Sequence, residues 1–185
     1  MVEISGRFGA VGFLLASAFG LLLGCGGVDE AEEVGSPEAG VVEKGAPEAE
    51  VATVTRLAAE FMQALSTHDT ENLDRLLARQ AMFYSVRDGE EGPVFGARTR
   101  ESFLEGIGED SRALLERIWD PVVEVSGRVA MVWAPYDFHL NGEFSHCGID
   151  VLTFLRLEDG WKVTSITYNV VGDGCAPSPL GEPVG

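Results

Sequence analysis

The dipeptide Asn141-Gly142 separates two long segments, 129–140 and 144–157, that are rich in β-branched and aromatic residues. Both central residues of a type I′ turn need positive φ, and Asn-Gly supplies it at low cost, so the spacing predicts a two-residue β-hairpin. That turn also sets a register. With Leu140 facing Glu143, Asp137 falls opposite His146 and Trp133 opposite Asp150. A three-residue turn at 158–160 then puts Tyr168 opposite Asp150. Side chains alternate faces along a strand. One face is therefore predicted to carry Trp133, Asp137, His146, Asp150 and Tyr168. The other carries Val132, Tyr136, Phe138, Cys147, Ile149 and Val151.

A few ionisable groups converging within an apolar wall describe a small-ligand pocket. Asp150 lies between Ile149 and Val151, and a carboxylate buried there must be paired or neutralised. Tyr168 and Trp133 are its expected partners. Asp137 and His146 form either an acid–base couple or a structural hydrogen bond, since a carboxylate favours the charged imidazole and burial the neutral one. His139, beside the turn, is expected in solvent. Short-range His spacing of the kind a metal site uses is absent, so neither metal nor cofactor is expected.

Upstream, Val51, Val54, Leu57, Ala58, Phe61, Met62 and Leu65 follow helical spacing. Asp69 or Thr70 can cap a short helix carrying Leu73, Leu76 and Leu77. Residues 81–86 read as a strand and 87–97 as a turn-rich loop. Thr99 can cap a helix with Phe103, Leu104 and Ile107 on one face, ended by Gly106 and Gly108. A strand is expected over 114–125, with Pro121 marking an edge or bulge. Helices first and strands later predict an α+β fold, helices packed on a curved antiparallel sheet.

The first 50 residues differ in kind. Residues 8–24 are apolar and follow Arg7, the pattern of a signal peptide over 1–24. The ending "LLLGC" resembles a bacterial lipobox, which implies lipid on Cys25 and export to a membrane; the alternative is a soluble periplasmic or extracellular protein after cleavage. Residues 25–50, rich in Gly, Pro, Ala and Glu, read as a disordered acidic linker. The chain holds 13 basic against 30 acidic residues, a formal net charge of −17, which excludes a nucleic-acid partner.

The stretch "WAPYDFHLNGEFSHCGIDVLTFLRLEDGWKVTSITYNV", with "YDF", "HCGID", the "DGWKV" turn and a cysteine near the C-terminus, resembles the nuclear-transport-factor-2-like superfamily. Its nearest branch is the one labelled lumazine-binding. The resemblance spans residues 51–175 and leaves 176–185 as a flexible tail. It implies a cone, a curved sheet wrapped by helices around a hollow, and points to Asp137, His146 and Asp150. The superfamily includes isomerases, dehydratases and non-enzymatic binders, so fold alone does not settle function. Cys147 and Cys175 are expected to pair in an oxidising compartment, Cys25 being used by lipid.

The reading taken forward is a membrane-tethered domain binding one small molecule, with Trp133, Asp137, His146, Asp150 and Tyr168 as ligand contacts. The alternatives are a cofactor-independent isomerase or dehydratase using Asp150, His146 and Asp137, and a homodimeric interaction module.

Overall fold

The computed structural model describes residues 48–183. The expected signal peptide, Cys25 and most of the linker lie outside them. Three helices and seven strands follow in order: α1 Glu48–Ser66, α2 Thr70–Leu76, β1 Leu77–Gly89, β2 Gly92–Thr99, α3 Arg100–Glu109, β3 Leu114–Ile118, β4 Val122–Ser126, β5 Val129–Leu140, β6 Glu143–Leu157 and β7 Gly160–Val170. The fold is the expected α+β class.

Local chemistry explains most boundaries. α1 starts at Glu48, before the expected Val51, and carries Glu48 and Glu50 in its first turn, where carboxylates suit the helix dipole. Glu50 also accepts from Trp161 Nε1 and Arg156 Nη1, both at 2.8 Å, tying the helix start to β6 and β7. The side chain of Asp69 caps α2 and that of Thr99 caps α3. Gly106 and Gly108 lie inside α3, which runs on to Glu109.

The strand order is β2-β1-β7-β6-β5-β3, with β4 also on β5. All pairs are antiparallel except β1 with β7, so the sheet is mixed rather than wholly antiparallel. Their connection runs through the rest of the sheet, long enough for a parallel crossover. The expected loop at 87–97 is instead the β1–β2 hairpin, closed by the Gly89–Gly92 pair. The expected strand over 114–125 is two strands. Trp119, Asp120 and Pro121 interrupt it, with Asp120 at φ 42°, and β3 and β4 share β5 as partner.

α1 lays Val54, Leu57, Ala58, Phe61, Met62 and Leu65 against the sheet's inner face. There they meet Val132, Leu152, Phe154 and Val163. α3 adds Phe103, whose ring stacks on Phe83 of β1 at 3.9 Å. On the outer face a disulfide joins Cys147 in β6 to Cys175 beyond β7, as expected. In the segment 176–185, expected to be a flexible tail, the carbonyl of Gly181 accepts from Arg117 Nη1 at 2.9 Å.

Cys147 and Cys175 are 28 residues apart. Closing a loop of that size restricts the unfolded chain by about 3.5 kcal/mol. Replacing Cys175 by Ala is therefore expected to lower the unfolding free energy by roughly that amount, read from urea midpoints. Wild type in a thiol reductant should lose the same increment and the variant should lose none.

Candidate functional site

The Asn141-Gly142 turn forms as expected, with φ 53° and 82°. Asn141 also exchanges hydrogen bonds with Ala113, its N–H donating to the Ala113 carbonyl and its Oδ1 accepting from the Ala113 N–H. Leu140 faces Glu143 and His139 faces Phe144. The register then shifts by one. Phe138 faces His146, Asp137 faces Cys147 and Ala134 faces Asp150. Ser145 is the extra residue of a β-bulge, which redirects every side chain beyond it.

That bulge corrects the predicted face. Asp137 and Trp133 point outward, away from His146 and Asp150. The Asp137–His146 couple does not exist. Trp133 is 39% exposed and reaches no carboxylate. Tyr136 and Phe138, expected on the other face, stand inside with His146 and Asp150. Tyr168 does lie opposite Asp150, by a different route: the β6–β7 turn has two residues, and a second bulge after Phe154 restores the count.

The inner face holds a cavity of about 230 Å³. Its wall is apolar, built from Phe61, Met62, Leu65, Phe83, Phe103 and Ile107 among others. Its polar groups are Asp150, Glu116, His146, Tyr136, Tyr168, Arg98, Asp110 and Arg112. The volume is that of about eight waters in the liquid, room for one small ring compound.

Asp150 is 1% exposed, and its Oδ2 has no ordinary hydrogen-bond donor beside it. Its neighbour is Glu116 of β3, and the two side chains are close enough to share a hydrogen bond. Two carboxyls can share one only if a proton stays between them. Burial, then the charge and hydrogen bond of Glu116, push Asp150 far above the usual carboxylate range. Burial also raises Glu116, and the charge of Asp137 adds to this; the hydrogen bond from Asp150 partly offsets it. Like charges this close do not ionise together as readily as free carboxyls, so the pair titrates as one unit and gives up its last proton at a higher pH than a free carboxyl does.

Aromatic groups frame the pair. The Tyr136 hydroxyl donates to the carbonyl of Asn169 at 2.9 Å, and burial followed by the charge of Asp150 keeps it protonated. His146 stands edge-on to Tyr136 and beside Phe138, with Nδ1 3.0 Å from Ser145 Oγ. Burial lowers its pKa and favours the neutral ring. At Gly148 a Cβ would collide with the carbonyl oxygen of Asn169 and with Tyr136, so only glycine lets β7 pass this close. Asn169 uses that approach to accept from the Ile149 N–H at 2.7 Å through its side chain.

Sequence reasoning missed Glu116 and Arg98. A signal for Glu116 was present: Leu114, Glu116 and Ile118 alternate, so one face of a short apolar strand carries a lone carboxyl. No local signal marked Arg98, which enters through the β1–β2 pairing.

Residues 49–169 match the family model described as "Putative lumazine-binding". The chain belongs to this family. Solved structures share the fold of this family member. A putative dehydratase of the NTF2-like family from Streptomyces avermitilis is 21% identical, covers 68% of this chain and 99% of its own, and superposes with TM-score 0.55. An NTF2-like protein from Cytophaga hutchinsonii is 14% identical over 65% and 97% of the two chains, also at 0.55. An NTF2-like superfamily protein from Salmonella enterica serovar Typhimurium is 16% identical over 75% and 100%, again at 0.55. No curated protein matches the sequence.

On the outer face Asp137 is 4% exposed and receives two hydrogen bonds from Arg117, at 2.9 and 2.5 Å. Burial raises its pKa, but the hydrogen bonds of Arg117 and Ser178 and the charges of Arg117 and His139 outweigh that and leave it below the ordinary value. His139, expected in solvent, is also 4% exposed, with Nε2 3.5 Å from Asp137. It lines an outer groove whose other wall is the 175–182 segment, which accounts for its burial. Among the described residues no three His, Cys, Asp or Glu side chains gather as a metal site would need.

A raised folded pKa carries a sign. The folded chain binds the proton of the Asp150–Glu116 pair more tightly than the unfolded chain does. The pair's stabilising effect is full below the unfolded carboxyl value of about 4 and declines as pH rises from there toward the raised folded values. Asp150→Asn removes the charge conflict. Its urea midpoint is therefore expected to gain on wild type steadily from pH 4 to 8, and parallel curves would refute the shared proton.

Proposed function

We propose that the domain takes up a small, largely apolar molecule bearing an oxygen function and moves a proton on it, a cofactor-independent step of the isomerase or dehydratase type. The observation that carries this reading is Asp150, buried with an unpartnered Oδ2 in the wall of an apolar cavity that Glu116 also lines. Family membership supports the small-molecule half. The carboxyl pair supports the chemical half, because it sets a proton donor beside a proton acceptor in a cavity whose wall is largely apolar. Such a pair can accept a proton from carbon at one carboxylate and return one from the neighbouring acid. A positioned acid or base of this kind contributes on the order of 10²–10⁴ in rate. Of the three residues first expected to act, Asp150 and His146 belong to this site and Asp137 does not.

The test is conversion of 3-cyclohexen-1-one to its conjugated isomer in D₂O, followed by absorbance and by deuterium uptake. Wild type should accelerate both above buffer. Asp150→Asn and Glu116→Gln should each remove about 10²-fold or more of that acceleration. A wild type that binds the ketone without isomerising it would leave a binding domain and refute the chemistry.

Tethering through lipid on Cys25 is also proposed here. It is supported by the lipobox-like "LLLGC" and by a disulfide of the kind exported proteins keep. Among the described residues no helix is long and apolar enough to cross a membrane. Cells fed an alkyne-labelled palmitate should label wild type and not Cys25→Ser, and the variant should leave the membrane fraction. Exposed Val122, Val129 and Trp133 on β4 and β5 are the surface on which a homodimer of this chain would form.

A further inference from the structure

We infer that Arg98 is an anion anchor at the cavity mouth and that the ligand is a carboxylate-bearing ring compound, its charged end on Arg98 and its neutral oxygen end toward Asp150 and Glu116. This rests on the small-molecule reading given above.

The strand pairing aims Arg98 at the site. Arg98 of β2 is the cross-strand partner of Phe83, and opposite residues of an antiparallel pair share a face. Phe83 is a buried cavity wall, so Arg98 stands on the same inner side at the edge of the sheet. Its guanidinium carbon lies 5.8 Å from the centre of the Phe103 ring, which is itself stacked on Phe83. An aromatic platform of this kind holds a cation in place without neutralising it. Arg98 Nη2 donates to the Tyr168 hydroxyl at 3.1 Å, and Tyr168 is the cross-strand partner of Asp150. Anchor, tyrosine and carboxyl pair therefore line one cavity from mouth to floor.

Among the described residues Arg98 also has no acid partner, in a chain with a large excess of acids. Arg56, Arg75, Arg100, Arg112, Arg117 and Arg156 each sit within ion-pair distance of an Asp or Glu. Arg112, the other arginine at this cavity, is held by Asp110 through both carboxylate oxygens. Arg79, Arg87 and Arg128 make no such pair either, but none of them lines the cavity. Arg98 is the cation of this site still able to take a carboxylate. A planar guanidinium matches that group with two parallel hydrogen bonds, which an ammonium cannot do. At the floor, the carboxyl pair keeps one negative charge, which repels a second anion, and its shared proton can be donated to a carbonyl or hydroxyl oxygen. The two ends therefore select opposite chemistry, and a ligand satisfying both is polar at each end and apolar between.

The experiment compares 4-hydroxybenzoate with its neutral isostere 4-hydroxybenzamide, titrated calorimetrically into the full chain. Wild type should prefer the carboxylate by roughly tenfold, the margin of a charge-assisted over a neutral hydrogen bond. That preference should shrink as salt rises. It should vanish in Arg98→Gln and return in part in Arg98→Lys, both at an exposed edge position that leaves the core intact. Equal binding of the two probes to wild type, or a preference unchanged in Arg98→Gln, overturns the anchor and leaves the pocket standing. Failure of both probes to bind wild type overturns the small-molecule reading along with it.

Discussion

Between β5 and β6 a single extra residue, Ser145, decides which side chains share a face. On one side of it the ladder follows the tight turn at Asn141-Gly142; on the other, every pair is displaced by one. The displacement turns His146 and Asp150 inward with Tyr136 and Phe138, and sends Asp137 outward with Cys147. Had the ladder run on without it, the outer ion pair and the inner carboxyl pair would not have been separated by the thickness of the sheet. β7 has its own register shift against the same strand, between Thr153 and Phe154, and approaches Gly148 closely because a missing Cβ leaves room for Asn169.

The separation has an electrostatic sense. Arg117 next to Asp137 stabilises an ionised carboxylate on the outer face. Glu116, the residue before Arg117 in β3, points the other way and meets Asp150 with no cation at hand. Adjacent residues of one short strand therefore create opposite environments: a charge kept by an ion pair, and a pair of acids made to retain a proton. Burying two carboxyls without a counter-ion opposes folding. The apolar packing of α1 and α3 against the sheet, and the disulfide that fastens the C-terminal segment, supply stability against it.

Much of this was legible in the sequence, and the limits have physical causes. Helical spacing over 51–65, the caps at Asp69 and Thr99, the turn at Asn141-Gly142 and the pairing of Cys147 with Cys175 each depend on neighbouring residues or on cysteine count. The β1–β2 hairpin was hidden because Gly89, Gly92, Pro93 and Gly96 look like a loop when their cross-strand partners are unknown. The division of 114–125 was half visible through Pro121. Glu116 had a signal in the alternation of its strand. Arg98 had none, because what places it beside Tyr168 is the parallel pairing of β1 with β7, contacts some 70 residues apart along the chain.

The sequence by itself determined the α+β class, the hairpin, the family resemblance and the residue types available for chemistry, since each of these is encoded in composition and short-range period. Tertiary structure alone decided which of those residues meet. Bulges cost little locally and leave no fixed mark in the sequence, yet each inverts the facing of a strand. For that reason Asp150 found Glu116 rather than Trp133, and Asp137 found Arg117 rather than His146.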